Sequence, residues 1–122
     1  MHCPTGSNGA WLTDDVKAKY IEAWSQPGAV TGGLNYYRSS PLYPPTAEDP
    51  GASAIKIDPA RVIVKMPTLV IWGDADSALL PCLLDGLEEF VPNLTLKRIP
   101  DGSHWVIHEQ PELVNQYIRA FI

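Results

Sequence analysis

The sequence predicts an α/β fold built on two main parallel strands with helices beside them. Two short, largely apolar runs, residues 68–72 and 94–99, are separated by a segment with apolar residues at helical spacing, and another such segment closes the chain. Residues 68–72 are apolar on both faces of a strand, which is typical of buried parallel sheets. A strand–helix–strand–helix order implies a right-handed parallel unit with its ligand site at the carboxyl ends of the strands.

The first predicted helix follows Thr13, whose hydroxyl can cap it, and carries Asp14 and Asp15 in its first turn. Apolar residues then recur at every fourth position: Val16, Tyr20 and Trp24. The Gln-Pro-Gly sequence at 26–28 ends this helix, and a second short helix is predicted over 34–39.

A proline-rich connector follows the two helices. The chain has 12 prolines, about twice the usual share of roughly 5%. Five of them fall within residues 41–59: Pro41, Pro44, Pro45, Pro50 and Pro59. Such a segment cannot form a helix or a central strand, and a structureless stretch of this length is uncommon inside a compact domain. We therefore divide the chain into helical residues 1–40, the connector 41–60 and a β-α-β-α unit at 61–122.

The strands of the last unit are recognised by short β-branched and apolar runs. They are predicted at 62–64 and 68–72, with a turn at 73–76 after the second. Residues 94–99 include two basic side chains, which indicates a strand nearer the sheet edge.

The helices of this unit are recognised by leucine spacing and by proline. A helix is predicted over 79–91, with Pro81 in its first turn, where a missing N–H is harmless. Pro111 begins the last helix. Its apolar residues are Leu113, Val114, Tyr117, Ile118 and Phe121.

Composition excludes several classes of protein. The net charge is −5, with no block of Lys and Arg, so neither nucleic acid nor an anionic membrane is expected as a partner. No apolar run approaches the roughly 18 residues of a membrane span. Cys3 and Cys82 lack a Cys-x-x-Cys arrangement, so we expect free thiols and a soluble, cytoplasmic protein.

The topology indicates two candidate catalytic residues, Asp76 and His104, which follow neighbouring strands. Parallel strands lie about 4.8 Å apart, so the two side chains can meet. A carboxylate oriented on a histidine is the base half of a nucleophile–base–acid system. In the alternative interpretation, Asp76 only caps the helix beginning near Ser77 and His104 is a loop residue packed by Trp105.

A metal site is disfavoured by the same residues. His104 and His108 fit the histidine half of a zinc finger, but no cysteine pair precedes them. We therefore expect no metal ligands.

Two sequence motifs of the last unit resemble those of a known enzyme family. Residues 67–76, PTLVIWGDAD, resemble the strand and acid loop of α/β-hydrolases of the epoxide hydrolase and haloalkane dehalogenase type. The acid stands three residues after the glycine in that family, which implies Asp76 rather than Asp74. Ser-His-Trp at 103–105, followed by HEQPE at 108–112, resembles the family's histidine loop and implies that His104 is the general base.

The helical part resembles the same family. Residues 34–38, LNYYR, resemble the end of the epoxide hydrolase cap, whose tyrosine polarises the epoxide oxygen. This implies that Tyr37 is a site residue and that residues 1–40 are a cap remnant. In the alternative interpretation, Tyr37 is an aromatic anchor beside Tyr36.

The nucleophile of the family has no counterpart here. The family's elbow, G-x-S-x-G or its aspartate equivalent, is absent, as is the His-Gly oxyanion loop. The resemblance thus implies the C-terminal portion of an α/β-hydrolase fold, acting on a small hydrophobic epoxide or haloalkane without a metal or organic cofactor. We expect the chain alone to be inactive.

Two classes of function stay open. The chain is either a hydrolase that needs a complementing N-terminal half, or a non-catalytic, self-associating fragment or interaction module. Self-association is expected because residues 68–72 have no obvious neighbour on one side, and an unpaired apolar strand edge attracts another chain.

Overall fold

The computed structural model describes residues 9–122, and the positions of Cys3 and of the other residues before Gly9 lie outside it. Among the described residues the chain divides into two compact units. One comprises residues 13–58, and the other comprises residues 9–12 and 59–122.

The first unit contains two helices. Helix α1, Asp14–Trp24, is capped as predicted, because the Thr13 hydroxyl oxygen accepts the Val16 N–H at 3.4 Å. Helix α2, Ala29–Arg38, begins five residues earlier than predicted. Gly28 precedes it at φ 79°, a left-handed conformation that glycine adopts easily, so the Pro-Gly pair ends one helix and starts the next.

The proline-rich segment is irregular, as predicted, apart from the short 3-10 turns Gly51–Ala54 and Pro59–Arg61. Asp49 braces it, since its carboxylate accepts the Gly51 N–H and the Tyr43 hydroxyl, each at 2.9 Å. These two hydrogen bonds lower the pKa of Asp49 below its ordinary value.

Strands β1, Thr68–Gly73, and β2, Leu94–Ile99, form a parallel pair in the second unit. Thr68 lies opposite Leu94, and Gly73 lies opposite Ile99. The parallel order is therefore confirmed. Full burial of β1 on both faces is not found, because residues 68–72 are only partly buried.

Two predicted elements of this unit are wrong. Residues 62–64 form no strand, since the Val64 N–H donates to the Phe90 carbonyl rather than to a strand neighbour. The helix expected over 79–91 is broken into a 3-10 turn, Pro81–Leu84, and a short helix α3, Leu87–Phe90. Gly86 causes the break, because its φ of 77° is left-handed and cannot continue a helix.

The core of the second unit lies between the sheet and the C-terminal helices. Helix α4, Val106–Glu109, was not predicted, whereas helix α5, Pro111–Phe121, begins at the predicted proline. Ile99, Val106 and Val114 are buried together, with partly buried apolar residues around them: Ile71, Leu113 and Tyr117. This core anchors the end of β2 and the loop that follows it. Within residues 9–122, no helix has the length and apolar character needed to cross a bilayer.

Candidate active site

The loops that follow β1 and β2 leave the sheet at the same edge and are bonded to each other. We call residues 74–79 the acid loop and residues 100–105 the histidine loop. The Asp74 N–H donates to the Ile99 carbonyl, and the Ala75 N–H donates to the Gly102 carbonyl, each at 2.9 Å. These bonds extend the parallel pairing past the strands and fix the spacing of the two loops.

Two glycines permit this close approach. A Cβ on Gly73 would lie 2.4 Å from the Gly102 carbonyl oxygen, and one on Gly102 would lie 2.6 Å from Cγ2 of Val106. Sequence reasoning missed this role. The only signal was a glycine near the end of each strand, which can mark a close backbone contact.

We expect the substitution Gly73→Ala to destabilise the chain by about 1–3 kcal/mol, because the methyl group must displace backbone rather than a flexible side chain. Urea unfolding measures the effect. Gly32→Ala is the matched control, since nothing lies within 4 Å of a Cβ there and helical alanine is favoured by about 0.5–1 kcal/mol. Equal unfolding free energies for the two variants would contradict the close contact.

Asp76 is buried and uses both carboxylate oxygens. Oδ1 accepts the backbone N–H groups of Ala78 and Leu79, at 2.8 and 2.9 Å. Oδ2 lies 2.8 Å from Nδ1 of His104. The expected contact between acid and histidine is therefore present. The other oxygen caps a turn, but no helix begins near Ser77, so the alternative interpretation is wrong about the helix.

The environment of Asp76 keeps it ionised. Burial raises the pKa of this carboxyl, but hydrogen bonds from Leu79, His104 and Ala78, together with the charge of His104, outweigh burial and bring the pKa below its ordinary value. Asp76 is thus a carboxylate at neutral pH and an acceptor toward the histidine ring.

His104 connects the buried carboxylate to the surface. Its side chain is 35% exposed, and its ring lies edge-on to Trp105 with the centroids 5.5 Å apart. An ionised Asp76 can only accept, so the hydrogen-bond network assigns a proton to Nδ1 in the neutral ring. Nε2 then carries the lone pair and can accept a proton from water.

The other acid of the turn has a different partner. Nε of Arg98 lies 2.8 and 3.1 Å from the two carboxylate oxygens of Asp74. Asp76 and not Asp74 therefore faces His104.

The histidine loop is held by a residue pair that sequence reasoning missed. Ser103 is 2% exposed, and both its N–H and its hydroxyl donate to the Glu109 carboxylate at 2.9 Å. The Ser103 hydroxyl oxygen also accepts the Trp105 N–H at 3.1 Å. A glutamate six residues after a serine does not by itself predict these hydrogen bonds.

Tyr37 lies in the other unit of the chain. It is on helix α2, is 77% exposed, and contacts Tyr36 edge-on with the ring centroids 5.3 Å apart. Its ring is therefore accessible rather than anchored in a core.

The side chains of His104 and His108 have different partners and do not form a common site. His108 stacks on Trp11 with the ring centroids 4.5 Å apart, whereas His104 faces Asp76. Within residues 9–122, no three His, Cys, Asp or Glu side chains are grouped so that they could hold a metal ion.

A parallel sheet with an acid and a histidine at the carboxyl ends of adjacent strands has the arrangement of an α/β-hydrolase. Comparison with known proteins agrees. The chain is 34% identical over 113 residues to the AB hydrolase superfamily protein YfhM of Bacillus subtilis, covering 93% of this chain and 35% of that protein. It is 33% identical over 108 residues to epoxide hydrolase 1 of Caenorhabditis elegans, covering 84% and 24%. No family model matches.

Solved structures give the same result. The chain superposes on the crystal structure of Bacillus megaterium epoxide hydrolase, in complex with an inhibitor, with a TM-score of 0.78 and 32% identity, covering 95% of this chain and 39% of that one. The chain spans about a third or less of the length of the curated relatives named above. It has the fold of the C-terminal portion of an α/β-hydrolase of the epoxide hydrolase type.

Proposed function

We propose that the chain supplies the acid and the general base of an epoxide hydrolase. The observation that carries this proposal is the 2.8 Å contact between Oδ2 of Asp76 and Nδ1 of His104. It orients a partly exposed imidazole, and the other oxygen of the carboxylate is occupied by backbone N–H groups, so the acid cannot rotate freely. An oriented histidine of this kind is suited to taking a proton from water.

The reaction has two steps. A carboxylate nucleophile attacks an epoxide carbon, the C–O bond breaks, and an ester forms while the Tyr37 hydroxyl protonates the departing alkoxide. Nε2 of His104 then takes a proton from water, whose oxygen attacks the ester carbonyl. The departing alkoxide takes the proton of the new carboxylic acid. The imidazolium then gives its proton to solvent, and the phenolate takes a proton from solvent. The net reaction adds one water to the epoxide and gives a diol.

The nucleophile and the oxyanion hole come, in this proposal, from a segment other than these 122 residues. Residues 1–40 then represent a cap remnant, 41–60 a connector, and 61–122 the last unit of the catalytic core. The substrate is a small hydrophobic epoxide, and the location is cytoplasmic. No metal or organic cofactor takes part.

A chimera tests this proposal. Residues 9–122 replace the corresponding segment of Bacillus megaterium epoxide hydrolase, a variant of which was crystallised with its product (R)-3-[1]naphthyloxy-propane-1,2-diol. We expect the chimera to hydrate the epoxide that gives this diol, and the 122-residue chain alone to show no turnover, because every site residue acts around a nucleophile supplied elsewhere. Product is measured by chromatography.

Two results would contradict this proposal. A folded chimera without turnover would show that Asp76 and His104 cannot serve the reaction. Turnover by the chain alone that His104→Ala abolishes would show that the chain carries its own nucleophile.

The second candidate function is a non-catalytic interaction module that associates with itself. It is favoured by the exposed apolar side chains around the acid loop and α3, since such surface attracts partners in water. They are Leu79, Leu80, Leu83 and Phe90. A complementing N-terminal half would cover the same surface under the first proposal.

A further inference from the structure

Glu109 turns its carboxylate back from helix α4 onto the residue before His104. One oxygen accepts the Ser103 N–H and the other accepts the Ser103 hydroxyl, both at 2.9 Å. Bonds between an ionised acceptor and two donors of one residue are stronger and more directional than neutral ones. Glu109 therefore fixes the peptide on the N-terminal side of His104.

The same carboxylate reaches the other side of His104 through the serine. The Ser103 hydroxyl donates to Glu109 and accepts the Trp105 N–H at 3.1 Å. Ser103 is almost fully buried, so without the carboxylate its N–H would be left without a partner and the loop would have to move. The residues before and after His104 thus depend on one side chain five positions along the chain.

We propose that Glu109 is a positioning residue for His104. It does not touch the reacting atoms. It holds the histidine loop so that Nδ1 stays on Oδ2 of Asp76 and Nε2 stays directed away from the carboxylate. The catalytic consequence rests on the proposed function, whereas the structural consequence can be measured on the chain itself.

The structural consequence is read by NMR on the full 122-residue chain. A proton held between Nδ1 of His104 and Asp76 gives a far-downfield resonance, and its assignment is checked by its loss in His104→Gln. In Glu109→Ala we expect this resonance to broaden or disappear. Glu112→Ala is the matched control, because Glu112 is an exposed glutamate nearby in α5, and it should leave the resonance unchanged.

The catalytic consequence is read in the chimera. We expect Glu109→Ala to lower kcat about 100-fold with little change in KM, because a small displacement of a catalytic group costs that much without weakening substrate binding. Glu109→Gln should retain more activity than Glu109→Ala. Its carbonyl can still accept the Ser103 N–H, and its amide can donate to the Ser103 hydroxyl oxygen.

The outcomes separate the two proposals. If Glu109→Ala keeps both the resonance and kcat, the positioning role is overturned. If Glu109→Ala does not fold, Ser103→Ala decides, because it removes the hydroxyl that joins Glu109 to the Trp105 N–H, and an unchanged resonance then overturns the role. If the unsubstituted chimera is inactive, the proposed function fails, yet the resonance still shows whether Glu109 positions His104.

Discussion

Replacing Asp76 by asparagine is expected to lower the turnover number of the chimera on the order of 10⁴-fold. Asparagine can keep the turn, because its carbonyl oxygen can accept the Ala78 and Leu79 N–H groups as Oδ1 of Asp76 does. Its amide group, however, faces Nδ1 of His104 as a donor. The ring must then carry its proton on Nε2. A protonated Nε2 has no free lone pair and cannot accept a proton from water.

Asp74→Asn is the matched control for this variant. Asp74 lies in the same loop but pairs with Arg98, a half-exposed ion pair of the kind worth about 0–1 kcal/mol. Turnover of this variant should therefore stay near that of the unsubstituted chimera. Equal losses in the two variants would show that the loop as a whole matters rather than the acid that faces His104. Initial rates at saturating epoxide give the comparison.

Self-association of the chain alone is the second large effect we expect. Strand β1 pairs with β2 on one side only among the described residues, and residues 68–72 are only partly buried. Pairing of two β1 edges across a twofold axis would use the unpaired backbone groups.

Sedimentation at micromolar concentration measures this association. Val70→Lys places a charge on the edge strand and should shift the chain toward monomer, whereas Val30→Lys, at a valine already 58% exposed on α2, is the control. If both variants remain dimeric, exchange of helix α1 between chains is the route instead. A compact monomer with a sharp cooperative melt would contradict self-association.

The parts of the fold that could be predicted are those governed by local chemistry. The Thr13 cap, the proline at the start of α5 and the two parallel strands each follow from a few adjacent residues, and the structure has all of them. The contact of Asp76 with His104 follows from the topology, because adjacent parallel strands deliver their following loops to one edge.

The parts that could not be predicted depend on contacts between distant residues. The leucines of residues 79–91 have helical spacing, yet Gly86 adopts a left-handed conformation and ends the pattern in the middle. A glycine inside such a run is compatible both with a continuous helix and with a helix that is broken at the glycine. Two other contacts form only when the loops are folded: the bond of Glu109 with Ser103 and the contact of Gly73 with Gly102. The periodicity of the sequence therefore cannot predict them.

In the proposed reaction His104 activates the water of the second step, and intact-protein mass spectrometry of the chimera tests this role most directly. With His104→Gln, epoxide opening still proceeds but ester hydrolysis does not. We predict that the protein gains the mass of one epoxide molecule within the first turnover and keeps it, whereas the unsubstituted chimera shows no lasting adduct. Rapid diol formation by His104→Gln without any adduct would contradict the claim.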